Sequence, residues 1–180
     1  MRPAELRTFR ESLGLSAKWM ATHFNVPLDR VYGWESGHGP LPDGVADALR
    51  RIAVLINEAV ERAIVTLLEV RGNGDVTAPV ILLRYCSDDE LWYFHPELRP
   101  ISSGSHAVML GRICQTLAAR DIETAIEYMD VKWYLSWLGQ RTDTQHNREK
   151  WAVKAMEKND RTLAKLKKGL VDPLTLTIVN

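Results

Sequence analysis

Residues 15–37 read LSAKWMATHFNVPLDRVYGWESG, and their spacing predicts two short helices meeting at a sharp angle. Ser16 is placed to cap the first helix, because its hydroxyl can accept a bond from a free first-turn N–H. Met20, Ala21 and Phe24 fall on one face at helical spacing. Ala21 is small, as a close helix crossing requires. Asn25 stands where the chain must turn, and Asn tolerates left-handed backbone. Val26 packs back into the angle. Pro27 pre-sets the first turn of the second helix, where a missing N–H is harmless. Val31 and Trp34 continue the apolar face, and Gly37 ends the helix. Leu28, Asp29, Arg30, Tyr32 and Gly33 are left facing outward.

This pattern resembles the helix-turn-helix of the lambda-repressor and Cro family, over roughly the first third of the chain. Turn, small residue, apolar staples and the closing Trp34-Glu35-Ser36-Gly37 all fall in register. The resemblance implies a duplex DNA partner read in the major groove. The candidate contact set there is Ala17, Lys18, Pro27, Leu28, Asp29, Arg30, Tyr32, Gly33 and His38. Arg30 can pair with a guanine edge or a phosphate, and Asp29 can accept from a cytosine amine. Gly33 lets the backbone come close, while Trp34 belongs to the core by its register with Val26 and Val31.

Around this motif the chain reads as mainly α. Residues 3–13 form a first helix with Leu6, Phe9 and Leu13 inward, and with Arg2, Arg7 and Arg10 near enough to face phosphates. The Gly37-His38-Gly39-Pro40-Leu41-Pro42 stretch is a loop. Asp43 opens a long helix with an apolar stripe through Val45, Leu49, Ile52, Ile56, Ala59, Ala63 and Leu67. Leu55, Val60, Ile64 and Leu68 widen that stripe, and Gly72-Asn73-Gly74 ends it. Residues 79–86 (PVILLRYC) are a β-type run, and 124–129 (TAIEYM) a short strand. Ser105 to Arg120 is a helix, 131–139 a short amphipathic one, and 143–168 a long polar one ending at Gly169. The tail PLTLTIVN is β-prone. The expected architecture is a helix-turn-helix bundle (1–55), a linker helix (56–72) and a C-terminal α+β domain with a small sheet (73–180). That last domain is a second DNA-contacting surface or a dimeriser.

The 180 residues are 46% apolar and 26% charged, with zero net charge. This is ordinary for a soluble globular protein. No targeting segment or membrane span is readable, so a cytoplasmic location is expected. The charge is unevenly spread. Residues 61–140 carry seven basic and eleven acidic side chains, and residues 141–180 carry nine and five. A DNA binder needs local positive potential, not a positive total. In the last long helix Lys150, Lys154, Lys158, Arg161 and Lys165 share one face, making Lys150, Lys154 and Lys158 candidate phosphate contacts. Val153, Met156, Leu163 and Leu166 offer its packing surface.

Catalysis has nothing to carry it. There is no nucleophile motif, Walker loop or dinucleotide fingerprint. Five histidines and two cysteines show no zinc spacing. The acidic run Asp88-Asp89-Glu90 reads as a turn or helix start, and His106 as a packed histidine. Cys86 and Cys114 read as small hydrophobes. No enzyme, cofactor or metal is expected.

Domain order and the RYCSDDELWYFHPELRP block look like the immunity repressors of temperate mycobacteriophages, of the group that binds many short asymmetric sites (stoperators). That resemblance implies a repressor maintaining lysogeny, bound as a monomer to an asymmetric site. The segment WESGHGPLPDGV is also similar to the regulators that accompany anti-CRISPR operons. Those dimerise through the C-terminal half, which leaves a homodimer open. A protein-binding module and an enzyme are the remaining classes.

Overall fold

The computed structural model describes residues 1–72 and 79–167. The second half of the Gly72-Asn73-Gly74 turn, the helix end at Gly169, the tail from Pro173 and the side chains of Leu163, Lys165 and Leu166 lie outside the described residues. The fold is mainly α with one small sheet, as expected.

Helices α1 (Pro3–Ser12), α2 (Ala17–His23) and α3 (Leu28–Ser36) form the bundle that the opening stretch predicts. Their ends follow from local chemistry. The Glu5 carboxylate accepts from the Arg2 N–H at 2.8 Å, opening α1 after Arg2 with Pro3 in its first turn. Ser16 Oγ accepts from the Trp19 N–H at 2.9 Å. Asn25 takes the left-handed conformation at φ 51, and Gly37 closes α3 at φ 83. Leu6, Leu13, Leu15, Met20, Val31 and Trp34 are buried together in this unit's core.

Helix α4 (Asp43–Gly72) runs 30 residues without a break. It buries Val45, Ala46, Leu49, Ile52, Ile56 and Val60. Leu55, expected to widen that stripe, is exposed, as are Val54 and Val65. The stripe is narrower than the count of apolar residues suggests. One helical face is covered, and Leu55 lies about a hundred degrees around the axis from Ile56.

Helix α5 (Asp88–Phe94) starts at Ser87, whose Oγ accepts from the Glu90 N–H at 3.2 Å. The acidic run is therefore a helix start, where the dipole favours anions. Asp88 Oδ1 also accepts from the Ser103 N–H at 2.6 Å and from Ser103 Oγ at 2.7 Å. That ties α5 to the first turn of α6 (Ser103–Ala118). Helix α6 packs along α4 through Met109, Leu110, Ile113 and Leu117.

Two further contacts bind α6 to the rest of its unit. Arg112 donates to Asn57 Oδ1 at 2.7 Å and to the Ser12 carbonyl at 3.3 Å. Gly104 meets Gly14 backbone to backbone. A Cβ on Gly14 would stand 2.3 Å from the Gly104 carbonyl oxygen, and one on Gly104 would stand 2.4 Å from that of Gly14. Gly14 also has φ +69, a second reason for glycine there.

Strands β1 (Val80–Arg84) and β2 (Thr124–Tyr128) pair in a two-stranded parallel sheet, with α5 and α6 as the crossover. The chain separates into two compact units. The first comprises Met1–Val80 and Arg84–Ala125; the second comprises Ile81–Leu83 and the chain from Ile126 onward. In the second unit, α7 (Val131–Leu138) and α8 (Gln145–Lys167) pack through Trp133, Tyr134 and Trp151. Trp151 presents its ring edge-on to Tyr134 at 5.8 Å and to Trp133 at 5.1 Å. Tyr134 hydrogen-bonds Asp143, which also pairs with Arg148 at 2.7 Å and so fixes the α7–α8 connection. Among the described residues no helix is long and apolar enough to cross a membrane.

Candidate nucleic-acid interface

The candidate surface is built on a buried frame. Arg10 Nε lies 2.6 Å from Glu35 Oε1, its Nη2 lies 3.2 Å from Glu35 Oε2, and its Nη1 donates to the Leu15 carbonyl at 2.7 Å. This corrects the expectation that Arg10 faces phosphates. Its guanidinium is withdrawn from solvent and locks α1 to α3. Burying a cation is costly unless such partners replace water around it, and Arg10 falls on the same stripe as Leu6 and Leu13. Arg2 and Arg7 remain exposed. Arg7 pairs with Glu11 at 2.9 Å, a contact that holds the Glu11 carboxyl below its ordinary range.

Helix α3 turns Val31 and Trp34 inward onto this frame. Its other side presents Asp29, Arg30 and Tyr32 to solvent, with Leu28 exposed at the first turn. Gly33 is half-covered, yet a Cβ built on it meets nothing within 4 Å. Pro27 is exposed just before the helix. At the start of α2 Lys18 is exposed and Ala17 half-buried. Among the described residues no ion pair engages Lys18 or Arg30. His38 follows α3, with its Nδ1 2.8 Å from Ser36 Oγ; that hydroxyl also donates to the Tyr32 carbonyl at 2.7 Å. Ser36 thus aims the His38 ring, a role that sequence reasoning missed. Its only signal is position, one turn from Tyr32 and two residues from His38.

The nine candidate positions of the helix-turn-helix therefore belong to one unit, on α2, α3 and the segments beside them. His23, at the end of α2, stacks on Trp19 with ring centroids 4.4 Å apart. Partial desolvation there lowers its pKa.

Lys150, Lys154 and Lys158 lie on α8, in the second unit, and all three are exposed. Lys158 differs from the other two, because its Nζ stands 4.3 Å from the Trp133 ring centroid. The packing face of α8 also departs from expectation. Trp151, Ala152 and Ala155 are buried, whereas Val153 is 44% exposed. The aromatic side chains of α7 select Trp151, whose area outweighs that of Val153. Cys86, expected to pack as a small hydrophobe, is exposed, and Cys114 is half-buried.

His106 is buried beside Tyr85, ring centroids 5.5 Å apart, and its Nδ1 has no hydrogen-bond partner among the described residues. Burial, reinforced by His95 and Arg84, lowers its pKa to about 4. His95 in turn contacts Tyr85 Oη at 3.1 Å and Glu97 at 3.0 Å. Among the described residues no group of three or more His, Cys, Asp or Glu side chains is placed to hold a metal ion.

Comparison with family models gives no match, and comparison with curated proteins gives no relative.

Proposed function

We propose that this chain is a sequence-specific double-stranded DNA-binding transcriptional repressor, of the phage-immunity type that maintains lysogeny in the bacterial cytoplasm. One observation carries most of this reading. Helix α3 is anchored by Val31 and Trp34 while Leu28, Asp29, Arg30 and Tyr32 stand in solvent. A helix held in this way at the end of a helix-turn-helix fits the major groove. Arg30 then pairs with a guanine edge or a phosphate, and Asp29 accepts from a cytosine amine. Lys18 and His38 flank the groove and serve phosphates. Lys150 and Lys154 add phosphate contacts from the second unit, which suits one chain on an asymmetric site. The role is binding, without catalysis, cofactor or metal.

The test is a gel shift at two salt concentrations, followed by selection of bound sequences from a random duplex pool. Phosphate-mediated binding weakens steeply with salt. Affinity that ignores salt, or a pool that yields no consensus, removes the proposal. A second reading is a dimeric autoregulator of the anti-CRISPR-associated type. It draws on Ile126 and Tyr128, large apolar side chains exposed on β2 in the C-terminal half. A palindromic consensus, with two chains in sedimentation, selects that reading.

A further inference from the structure

Two of the residues on the outward side of α3 are large and largely apolar. Leu28 opens the helix and is 37% exposed; Tyr32 follows one turn later and is 52% exposed. A separation of four residues puts them on one face, one above the other. Neither serves the core, which Val31 and Trp34 build from the other side. Beside Tyr32, Gly33 has open space where a side chain would be. The polar complement of the same surface is one acid, Asp29, and one base, Arg30.

We propose that Leu28 and Tyr32 read the C5-methyl groups of thymines, so that the preferred DNA site carries thymine beneath these two side chains. The inference rests on the DNA-binding reading above. In the major groove thymine alone offers an apolar group, whereas the other bases present only donors and acceptors. An aliphatic side chain seated on a guanine or adenine edge leaves polar atoms unpaired, which costs more than the contact gains. Leu28 therefore selects by attraction to a methyl and by desolvation of everything else. Its place at the start of α3 matters, because residues near the beginning of a recognition helix reach base edges. Tyr32 lays its ring against a second methyl and keeps its hydroxyl free for a phosphate or a polar edge. The missing side chain at Gly33 allows the helix backbone to approach at that level.

The experiment uses the full chain and the duplex recovered by selection, remade with uracil in place of each thymine in turn. Uracil keeps every hydrogen-bonding group and loses only the methyl. At the positions under Leu28 and Tyr32 affinity should fall about fourfold per methyl, the factor that burial of one such group supplies. Leu28→Ala and Tyr32→Ala should each bind more weakly and each lose the uracil effect at its own position. Leu28→Ala keeps the fold, because the side chain is outward and alanine favours helix. Arg30→Ala should weaken binding and keep the uracil effect in full. Uracil duplexes that bind like the thymine parent overturn the inference, as does an undiminished uracil effect in both alanine variants. Either result leaves salt-dependent DNA binding standing. A chain that binds no duplex overturns the inference and the proposed function together.

Discussion

Arg10 and Glu35 meet at 2.6 Å with both side chains more than nine-tenths buried, so α1 and α3 are joined by an ion pair inside the core of the bundle. Removing one member strands the other in a place that cannot solvate it. Arg10→Ala or Glu35→Ala should destabilise the first unit by about 3–5 kcal/mol in urea unfolding. Replacing both residues with apolar ones, as in Arg10→Met with Glu35→Leu, should recover most of that loss. A single variant as stable as the parent would show that the pair is solvated.

Trp34 anchors α3 from the same side. Trp34→Ala should cost about 3–5 kcal/mol and unfold the bundle. Trp34→Phe should cost far less, because the indole N–H has no hydrogen-bond partner among the described residues. Tryptophan fluorescence and circular dichroism follow both. A normally folded Trp34→Ala that has lost DNA binding would move the residue from core to interface.

Arg30→Ala tests the outward face of α3 without touching the core. It should leave unfolding unchanged and cost about 1–3 kcal/mol of DNA binding if the guanidinium reads a base. Relaxed preference at one base pair identifies a guanine contact; uniform weakening identifies a phosphate. Unchanged affinity and preference exclude Arg30 from the interface.

Lys150→Gln with Lys154→Gln asks whether α8 touches DNA. Both side chains are exposed, so folding should be unaffected. The log–log salt slope should flatten by about 0.9 for each phosphate contact removed. An unchanged slope and affinity would confine DNA binding to the helix-turn-helix and favour the dimeriser.

Acid should weaken the first unit through His106. Its pKa is lowered to about 4 in the folded chain, against about 6.5 when unfolded. Between those values the unfolded chain binds the proton and the folded chain does not, so stability falls as pH falls. The contribution is fully present above about 6.5 and lost by about 4, on the order of 3 kcal/mol in all. His106→Leu should flatten unfolding free energy across this window; an unaltered pH dependence would place the effect elsewhere.

What was legible in the sequence was local. Ser16, Asn25 and Gly37 announce their own conformations, because a cap or a left-handed residue is decided within a few bonds of itself. The outward face of α3 followed from the inward one by register alone. The burial of Arg10 is not legible locally, because its partner lies 25 residues away. The warning was a charge inside the stripe Leu6, Arg10, Leu13. The buried side of α8 is hidden from the sequence for a related reason. A polar helix with apolar residues all round offers several faces, and the aromatic side chains of α7 choose Trp151 over Val153.

The meeting of Gly14 with Gly104 has a consequence for modularity. Each glycine's neighbour is a carbonyl, which cannot swing aside as a side chain would. Enlarging one position cannot be compensated at the other, so the two can only vary together with the backbone that carries them. Residues 1–72 are consequently a poor cassette for chimeras. Grafted alone, they leave Gly14 without its counterpart and α4 without its α6 cover. A transferable helix-turn-helix module would have to carry the chain through to Ala125, with α3 and α6 inherited as a single piece.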